Sequence, residues 1–453
     1  MAYSFTDSGK KYINLSIQDE FESSKRKLKF LTSEKYQIDF EETVLKGIDF
    51  SKEIKNTNSR YLKNAFHVKN FVEEIFNEKI INPDKFVIYF FEKVVLTVIT
   101  CPSQDSAISI FNVLNDRGMP LSSIDILKAS LMRNIEEKED RIAFKSKWDA
   151  IHEELKFNGF DMDSLLNTYL YYRIATNPKN RLDKELISIF SQEKKSSLEI
   201  IKEIDDFSKA YIETYTSEDK YTYCLRYLKH KIYWTSLLST AIFSKYQHTK
   251  ELKKLLLAYY YQNWIAGATI ARIKQTSFNI LKLIKKNSPI EDIRNEIKTS
   301  LKKYSTTKTF KEEIKGEQVY GRRWDRAILL LIEYFSSDNL NHKFFKLDAK
   351  LHLEHVIPQK PGIAWKKVFN KKQIDRWTNS LANLTLLYKR KNSQAKNLPF
   401  KEKIEIYKNS DDISSSFLIT QKITHCNKWD VQELEKREKK LLKKVMDTLD
   451  LFH

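Results

Sequence analysis

The fold of the C-terminal part of this chain is decided by two short runs, LHLEHVIPQ at residues 351–359 and LANLTLL at residues 381–387. The first run alternates apolar and polar side chains and then reaches a proline, which indicates a short strand that stops at Glu354 and His355. The second run is apolar and rich in β-formers, and residues 391–393 after it are typical of a helix start. We therefore predict a strand, a long loop, a second strand and a helix.

Four polar side chains in this frame have the chemistry to act with one divalent cation on a phosphodiester bond. Glu354 is a hard oxygen ligand, and the amide oxygen of Asn392 is a second ligand of the kind that Mg²⁺ accepts while it keeps several waters. His355 is a candidate general base because an imidazole titrates near neutral pH. Asn383 can accept a hydrogen bond from the other ring nitrogen and so fix its tautomer. Since adjacent residues of a regular strand point to opposite faces, the strand must bend or end there.

These features resemble the HNH, or His-Me finger, nucleases, which share the acidic residue before His, the Asn-Leu-x-Leu-Leu strand and an Asn nine residues after the first Asn. The stretch looks most like the C-terminal nuclease domain of the GmrSD type IV restriction enzymes, whose longer signature continues with Trp, Asn-Ser and Phe-x-x-Lys. It departs from that signature at Val356, where Ile is usual, and at Ala382, where Gly is usual. The later positions are occupied by Trp365 or Trp377, Asn392 with Ser393, and residues 400–403.

The resemblance implies a ββα-metal nuclease motif embedded in helices. By position it makes His355 the base, Asn383 the residue that orients it, and Glu354 and Asn392 the ligands of Mg²⁺ or Mn²⁺. His352 would also allow a zinc site of the form His-x-Glu-His, but no Cys or further His lies at ligand spacing. The alternative is that Glu354 and His355 form an ordinary surface pair and that Asn383 belongs to a turn, with no role shared between them.

The charge of the chain favours a polyanionic partner, with nucleic acid as the first candidate. The 453 residues include 79 basic and 60 acidic side chains, a net charge of +19. The excess is concentrated between residues 351 and 410, where thirteen Lys and Arg residues face four Asp and Glu residues. The alternative is a solvated surface that binds nothing. The candidates for contact with DNA phosphates are Lys389, Arg390, Lys391 and Lys396.

Several function classes are disfavoured by the sequence. The three cysteines, Cys101, Cys224 and Cys426, are far apart, which argues against a disulfide framework or a zinc knuckle and suits a reducing compartment. The N-terminus has no basic and then apolar signal, and no run of 18 apolar residues occurs. We therefore expect a cytoplasmic protein without a membrane partner.

A second signature lies at residues 111–128, FNVLNDRGMPLSSIDILK. It predicts a helix, a tight turn at Gly118 and a second helix that begins in a capping-box-like pair of Ser122 and Asp125. The string resembles a signature in the ParB-like N-terminal domain of the same GmrSD family. The Asp-Gly-Gln-Gln-Arg motif of that domain is absent from the chain. Either a separate ParB-like subunit supplies it, in which case Asn115 and Arg117 would complete a binding site in trans, or the protein is a shortened relative of the family. The alternative for residues 111–128 is a turn without a binding role.

The remaining patterns predict mostly helices. The β-branched run at 94–100 predicts a buried strand, residues 135–315 predict an almost wholly helical region, and the polar stretch at 303–316 predicts a linker. A basic amphipathic helix over 431–449 is expected to close the C-terminal domain. Few Gly and Pro residues, eight of each, agree with long helices.

The sequence therefore predicts a predominantly helical α+β protein with a remnant of a ParB-like domain at 1–134, a helical domain at 135–315 and an HNH endonuclease domain at 316–453. The expected function is metal-dependent DNA cleavage, and the resemblance implies that it serves restriction or anti-phage defence. Two alternatives stay open, a non-catalytic DNA-binding or assembly subunit and an RNA-cutting HNH nuclease.

Overall fold

The structure is a computed structural model that describes residues 60–77, 81–95, 122–336, 343–408 and 417–452, together with isolated positions at 7, 97, 99–102, 106 and 110; within these ranges the side chains of residues 60, 61 and 77 are outside the description. The chain divides into two compact units, Met1–Gly118 and Met119–His453.

The described part of the first unit contains helix α1, Arg60–Asn77, and helix α2, Pro83–Lys93. Helix α2 begins where Asn82 accepts a hydrogen bond from the backbone N–H of Lys85, with a proline in the first turn. The buried strand predicted at 94–100 is wrong for the positions that are described, because 94, 95, 97, 99 and 100 form no strand and Val95 is 86% exposed. A β-branched run favours a strand only when a partner strand is available. Asn115, Arg117 and Gly118 lie outside the described residues.

The second unit begins with a helical region, as predicted for residues 135–315. Its first helix starts at the predicted cap, since the Ser122 hydroxyl accepts a hydrogen bond from the backbone N–H of Asp125 at 3.1 Å. The helices are α3 Ser123–Arg133, α4 Lys138–Phe157, α5 Met162–Ile174, α6 Leu182–Gln192, α7 Ser197–Thr216, α8 Lys220–Leu225, α9 Lys231–Phe243, α10 Thr249–Ile265, α11 Ile270–Lys285, α12 Ile290–Lys303, α13 Thr306–Ile314 and α14 Asp325–Ser336.

The linker predicted at 303–316 is wrong, because helix α13 occupies most of this stretch and packs against α10 and α12. Phe310 and Ile314 are both buried. Two apolar residues four positions apart give a polar helix a narrow buried stripe, which a composition argument overlooks.

The C-terminal part has the predicted order of strand, loop, strand and helix. Strands β1, Leu351–His355, and β2, Leu384–Tyr388, pair antiparallel, with Glu354 opposite Thr385 and His355 opposite Leu384. A 3-10 turn, Leu381–Asn383, precedes β2, and helix α17 begins at Lys389, two residues before the predicted start. The other helices here are α15 Ile363–Lys366, α16 Lys371–Trp377, α17 Lys389–Ala395, α18 Phe400–Lys408, α19 Leu418–Thr424 and α20 Val431–Leu449.

Two hydrophobic clusters support this motif. The largest cluster of the unit runs through α9 to α14 and includes residues of both strands and of α20. A smaller cluster lies under the loop between the strands and is built on Val356, Ile357, Trp365, Trp377 and Trp429. The described fold is thus predominantly helical with a small antiparallel sheet, as predicted, while the domain boundaries at 134 and 315 stay predictions.

Helix α20 packs as expected for a helix that closes the C-terminal part. Leu434, Leu441 and Val445 are buried along one face and Leu442 is half-buried. None of the helices in the described part of the chain has the length and apolar character needed to cross a bilayer.

Candidate active site

His355 is the last residue of β1, and its imidazole is held between two side chains. Its Nε2 lies 3.1 Å from Oδ1 of Asn379, and its ring meets that of Tyr320 edge to face with centroids 4.4 Å apart. Burial lowers the pKa of His355 from 6.5 to about 4, with the nearby Lys403 charge adding to the shift and the Asn379 bond opposing it. The ring is therefore neutral at neutral pH and able to accept a proton.

Glu354 takes part in a buried ion pair. Its Oε1 accepts hydrogen bonds from Lys403 Nζ at 2.6 Å and from the Tyr407 hydroxyl at 2.9 Å. The same ammonium group donates to the backbone carbonyl of His355 at 2.6 Å. Burial raises the pKa of the Glu354 carboxyl, and the Lys403 charge opposes that shift. The Glu354 carboxylate, predicted to be a metal ligand, therefore already binds the Lys403 ammonium group through one oxygen. Its role as a ligand of a metal ion stays a prediction.

Lys403, one of the thirteen basic residues between 351 and 410, is fully buried and therefore belongs to neither a solvated nor a DNA-facing surface. The Phe-x-x-Lys signature of residues 400–403 was the sequence signal for this side chain, but the signature by itself does not say what the lysine binds. Its partner is set by helix α18, which places Nζ under the end of β1.

Asn383 makes no hydrogen bond to the imidazole among the described contacts, and the predicted orienting bond is wrong about which asparagine makes it. The Asn383 side chain is fully buried and bonds to the backbone on both sides, accepting from Ile357 N–H at 2.8 Å and donating to the carbonyls of Ile357 and Thr378, each at 2.9 Å. Asn383 therefore holds the turn after β1 in place. The hydrogen bond to the ring comes from Asn379 instead, a residue that no sequence pattern pointed to.

Asn392 lies on α17, which packs against both strands. Its Oδ1 is buried and has no hydrogen-bond partner among the described residues, a state that costs about 1–3 kcal/mol if nothing fills it. A divalent cation fits this oxygen, because amide oxygens are hard ligands that Mg²⁺ and Mn²⁺ accept. Among the described residues no three His, Cys, Asp or Glu side chains form a group that could hold a metal ion, and a site shared by Asn392 and Glu354 stays a prediction.

The four basic residues predicted to contact DNA differ in exposure. Lys389, Arg390 and Lys396 are exposed at the two ends of α17, whereas Lys391 is buried. Three of the four are therefore placed where a phosphate backbone could reach them. Asn115 and Arg117, the residues of the predicted site in trans, lie outside the described part of the chain.

Comparison with known families gives two matches. Residues 304–444 match the family described as GmrSD restriction endonucleases, C-terminal domain, and residues 2–132 match GmrSD restriction endonuclease, N-terminal domain. No curated protein sequence matches the chain. The first match contains both strands, α17 and α18, and therefore every residue of the candidate site described above. The two matches together show that the chain belongs to the GmrSD restriction endonuclease family, a family of nucleases of restriction systems.

Proposed function

We propose that this protein is a metal-dependent DNA endonuclease of the HNH type in which His355 takes the proton from the attacking water. One observation carries the proposal: Nε2 of the imidazole is bound to Asn379, and Nδ1 makes no hydrogen bond to any described residue. Burial also lowers the pKa of the ring, which favours its neutral form. A general base needs this combination of a held ring and an available nitrogen.

The chain's own residues have distinct roles in this proposal. Asn383 fixes the turn that follows β1, and Lys403 ties the Glu354 carboxylate to the backbone of His355, so both set the position of the base. A divalent cation held by Asn392 and Glu354, when bound, would stabilise negative charge that develops on the phosphate. Lys403 occupies one oxygen of Glu354, which leaves the other carboxylate oxygen for that contact.

DNA is the proposed substrate because the chain is positively charged and because it belongs to a family of restriction endonucleases. The net charge of +19 and the exposed Lys389, Arg390 and Lys396 suit electrostatic contact with a phosphate backbone. RNA carries the same backbone charge, so matched DNA and RNA strands of one sequence must be compared directly. Cleavage of RNA alone would replace the DNA assignment with an RNA-cutting HNH nuclease.

The test is plasmid cleavage with Mg²⁺ or Mn²⁺ by the wild type and by His355→Ala. We expect the variant to lose about 100-fold to 10,000-fold in rate, the usual contribution of a general base. His352→Ala is the matched control, because His352 lies on the same strand and its ring bonds, among the described residues, to the Ala349 carbonyl alone. Equal nicking by the wild type and His355→Ala would contradict the catalytic assignment.

A separate ParB-like subunit that carries Asp-Gly-Gln-Gln-Arg is a further part of the proposal, since that motif is absent from the sequence. Co-expression with the neighbouring open reading frames tests it. Cleavage that requires a co-purified subunit and still depends on His355 would support both assignments. Co-purification without any His355-dependent cleavage would favour the competing function, a non-catalytic assembly subunit.

A further inference from the structure

Asn379, in the turn between α16 and the 3-10 helix, is joined to the segment before α14 by its backbone and its side chain. Its backbone carbonyl accepts hydrogen bonds from the N–H groups of Val319 and Tyr320 at 2.9 and 3.0 Å. Its side-chain nitrogen donates to Oε1 of Gln318 at 3.0 Å, and its side-chain oxygen faces Nε2 of His355. Asn379 is therefore fixed on one side by the segment before α14 and bonds on its other side to the imidazole of His355.

The direction of this chain of hydrogen bonds follows from its far end. Gln318 donates from Nε2 to the backbone carbonyl of Tyr320 at 2.8 Å, and a carbonyl can only accept. The other atom of the Gln318 amide must then be its oxygen, so Asn379 presents its nitrogen to Gln318 and its oxygen to the ring. An amide oxygen also only accepts, so His355 must donate through Nε2.

We propose that Asn379, supported by Gln318, is a positioning residue that holds His355 as the Nε2–H tautomer, so that Nδ1 is the atom that takes the proton in the reaction proposed above. This inference rests on the proposed function for its catalytic meaning, but the tautomer itself is a property of the folded protein without metal or substrate. Tyr320 adds to the arrangement because its ring packs against the imidazole and limits its rotation.

The first test is ¹⁵N-histidine spectroscopy of the full chain at pH 8. We expect the wild type to show a proton on Nε2 that is protected from exchange and an Nδ1 signal typical of an unprotonated nitrogen. Asn379→Leu should lose the protected Nε2 proton and move both ring signals. Signals are assigned with His355→Gln, and Asn427→Leu, an exposed amide elsewhere in the unit, is the control for a surface substitution.

The second test is kinetic. Asn379→Leu should lower kcat by about 10-fold to 100-fold through misplacement of the ring, with KM for DNA unchanged because no DNA contact is removed. Gln318→Leu should lose less, because Asn379 keeps its acceptor oxygen. This variant alters an exposed side chain and also tests the relay if Asn379→Leu does not fold.

A wild-type proton on Nδ1, or ring signals that neither Asn379→Leu nor Gln318→Leu changes, would overturn the proposal even if activity falls. The expected tautomer in a protein that cuts nothing would instead contradict the proposed function while supporting the assignment of the ring. The two failures are therefore distinguishable.

Discussion

Glu354 and His355 are neighbours in β1, but they lie in different environments. On one side, Glu354 is bound by Lys403 and Tyr407 in a region from which water is excluded, and Lys403 is fully buried. On the other side, His355 is bound at one ring nitrogen by Asn379, and its second nitrogen is left without a partner among the described residues. The difference follows from the partners that each residue meets at the end of β1, which are Lys403 and Tyr407 for Glu354 and Asn379 for His355.

The two residues differ in what they do for β1: Glu354 anchors the strand end, and His355 presents a side chain suited to chemistry. The paired side fixes the end of β1, because Lys403 binds both the Glu354 carboxylate and the His355 carbonyl. The open side presents a neutral imidazole whose available nitrogen can act. Adjacent residues can therefore serve one site in different ways, and their roles can be measured separately.

The largest effect is expected from removal of the Lys403 ammonium group, which pairs with Glu354. Lys403→Met leaves the Glu354 carboxylate buried without its partner, which should lower the free energy of unfolding by about 3–5 kcal/mol. Thermal and chemical denaturation measure the loss. Lys401→Met, an exposed lysine on the same helix, is the matched control and should change stability by less than about 0.5 kcal/mol.

The double variant Glu354→Gln/Lys403→Met sharpens this result. Replacement of both charges by neutral groups removes the stranded carboxylate, so most of the lost stability should return. A double variant as unstable as Lys403→Met alone would mean that packing of the lysine stem, rather than its charge, holds the end of the strand.

On the open side we expect a pH effect in the metal-free protein. Burial lowers the pKa of His355 from 6.5 to about 4, so between these values the unfolded chain binds a proton that the folded protein does not. Stability should therefore fall by about 3 kcal/mol as pH drops through this window, and the contribution should stop changing below about pH 4.

Titration of ¹³C-labelled histidine measures the pKa directly, with His355→Gln used to assign the signal. The pH dependence of unfolding in His355→Gln should be shallower than in the wild type between pH 6.5 and 4. A His355 pKa near 6.5 in the folded protein would mean that the ring is hydrated. The contrast between a bound Nε2 and an unbound Nδ1 would then no longer hold.

The smallest effect is expected from a change at Asn392. It tests whether the Glu354 carboxylate, although paired with Lys403, also shares a divalent cation with Asn392 of helix α17. Asn392→Ala should weaken Mn²⁺ binding about tenfold, or about 1.4 kcal/mol, with little loss of stability because its buried oxygen has no partner to lose. Calorimetric titration measures the affinity, with Asn397→Ala, an exposed residue after the same helix, as the control. Equal Mn²⁺ affinity in both variants and the wild type would remove Asn392 from the metal site.

Much of the architecture was predictable from local patterns. The alternation in 351–355, the apolar run before Tyr388 and the Ser122 cap each specify a local conformation, and each has its predicted form. Prediction was wrong where local preference depended on a distant partner. The run at 94–100 has strand composition but forms no strand at its described positions, and α13 is polar by composition yet buries Phe310 and Ile314.

The sequence by itself determined the order of strand, loop, strand and helix, the excess of positive charge and which side chains have suitable chemistry, because these depend on residue type and spacing along the chain. Only the tertiary structure decided that Lys403 binds Glu354 across 49 positions and that Asn379, not Asn383, binds the ring. These pairings depend on how α16, α18 and the segment before α14 pack around β1. Side-chain partners are chosen by distance in space and by exclusion of water, and neither quantity is encoded in local spacing.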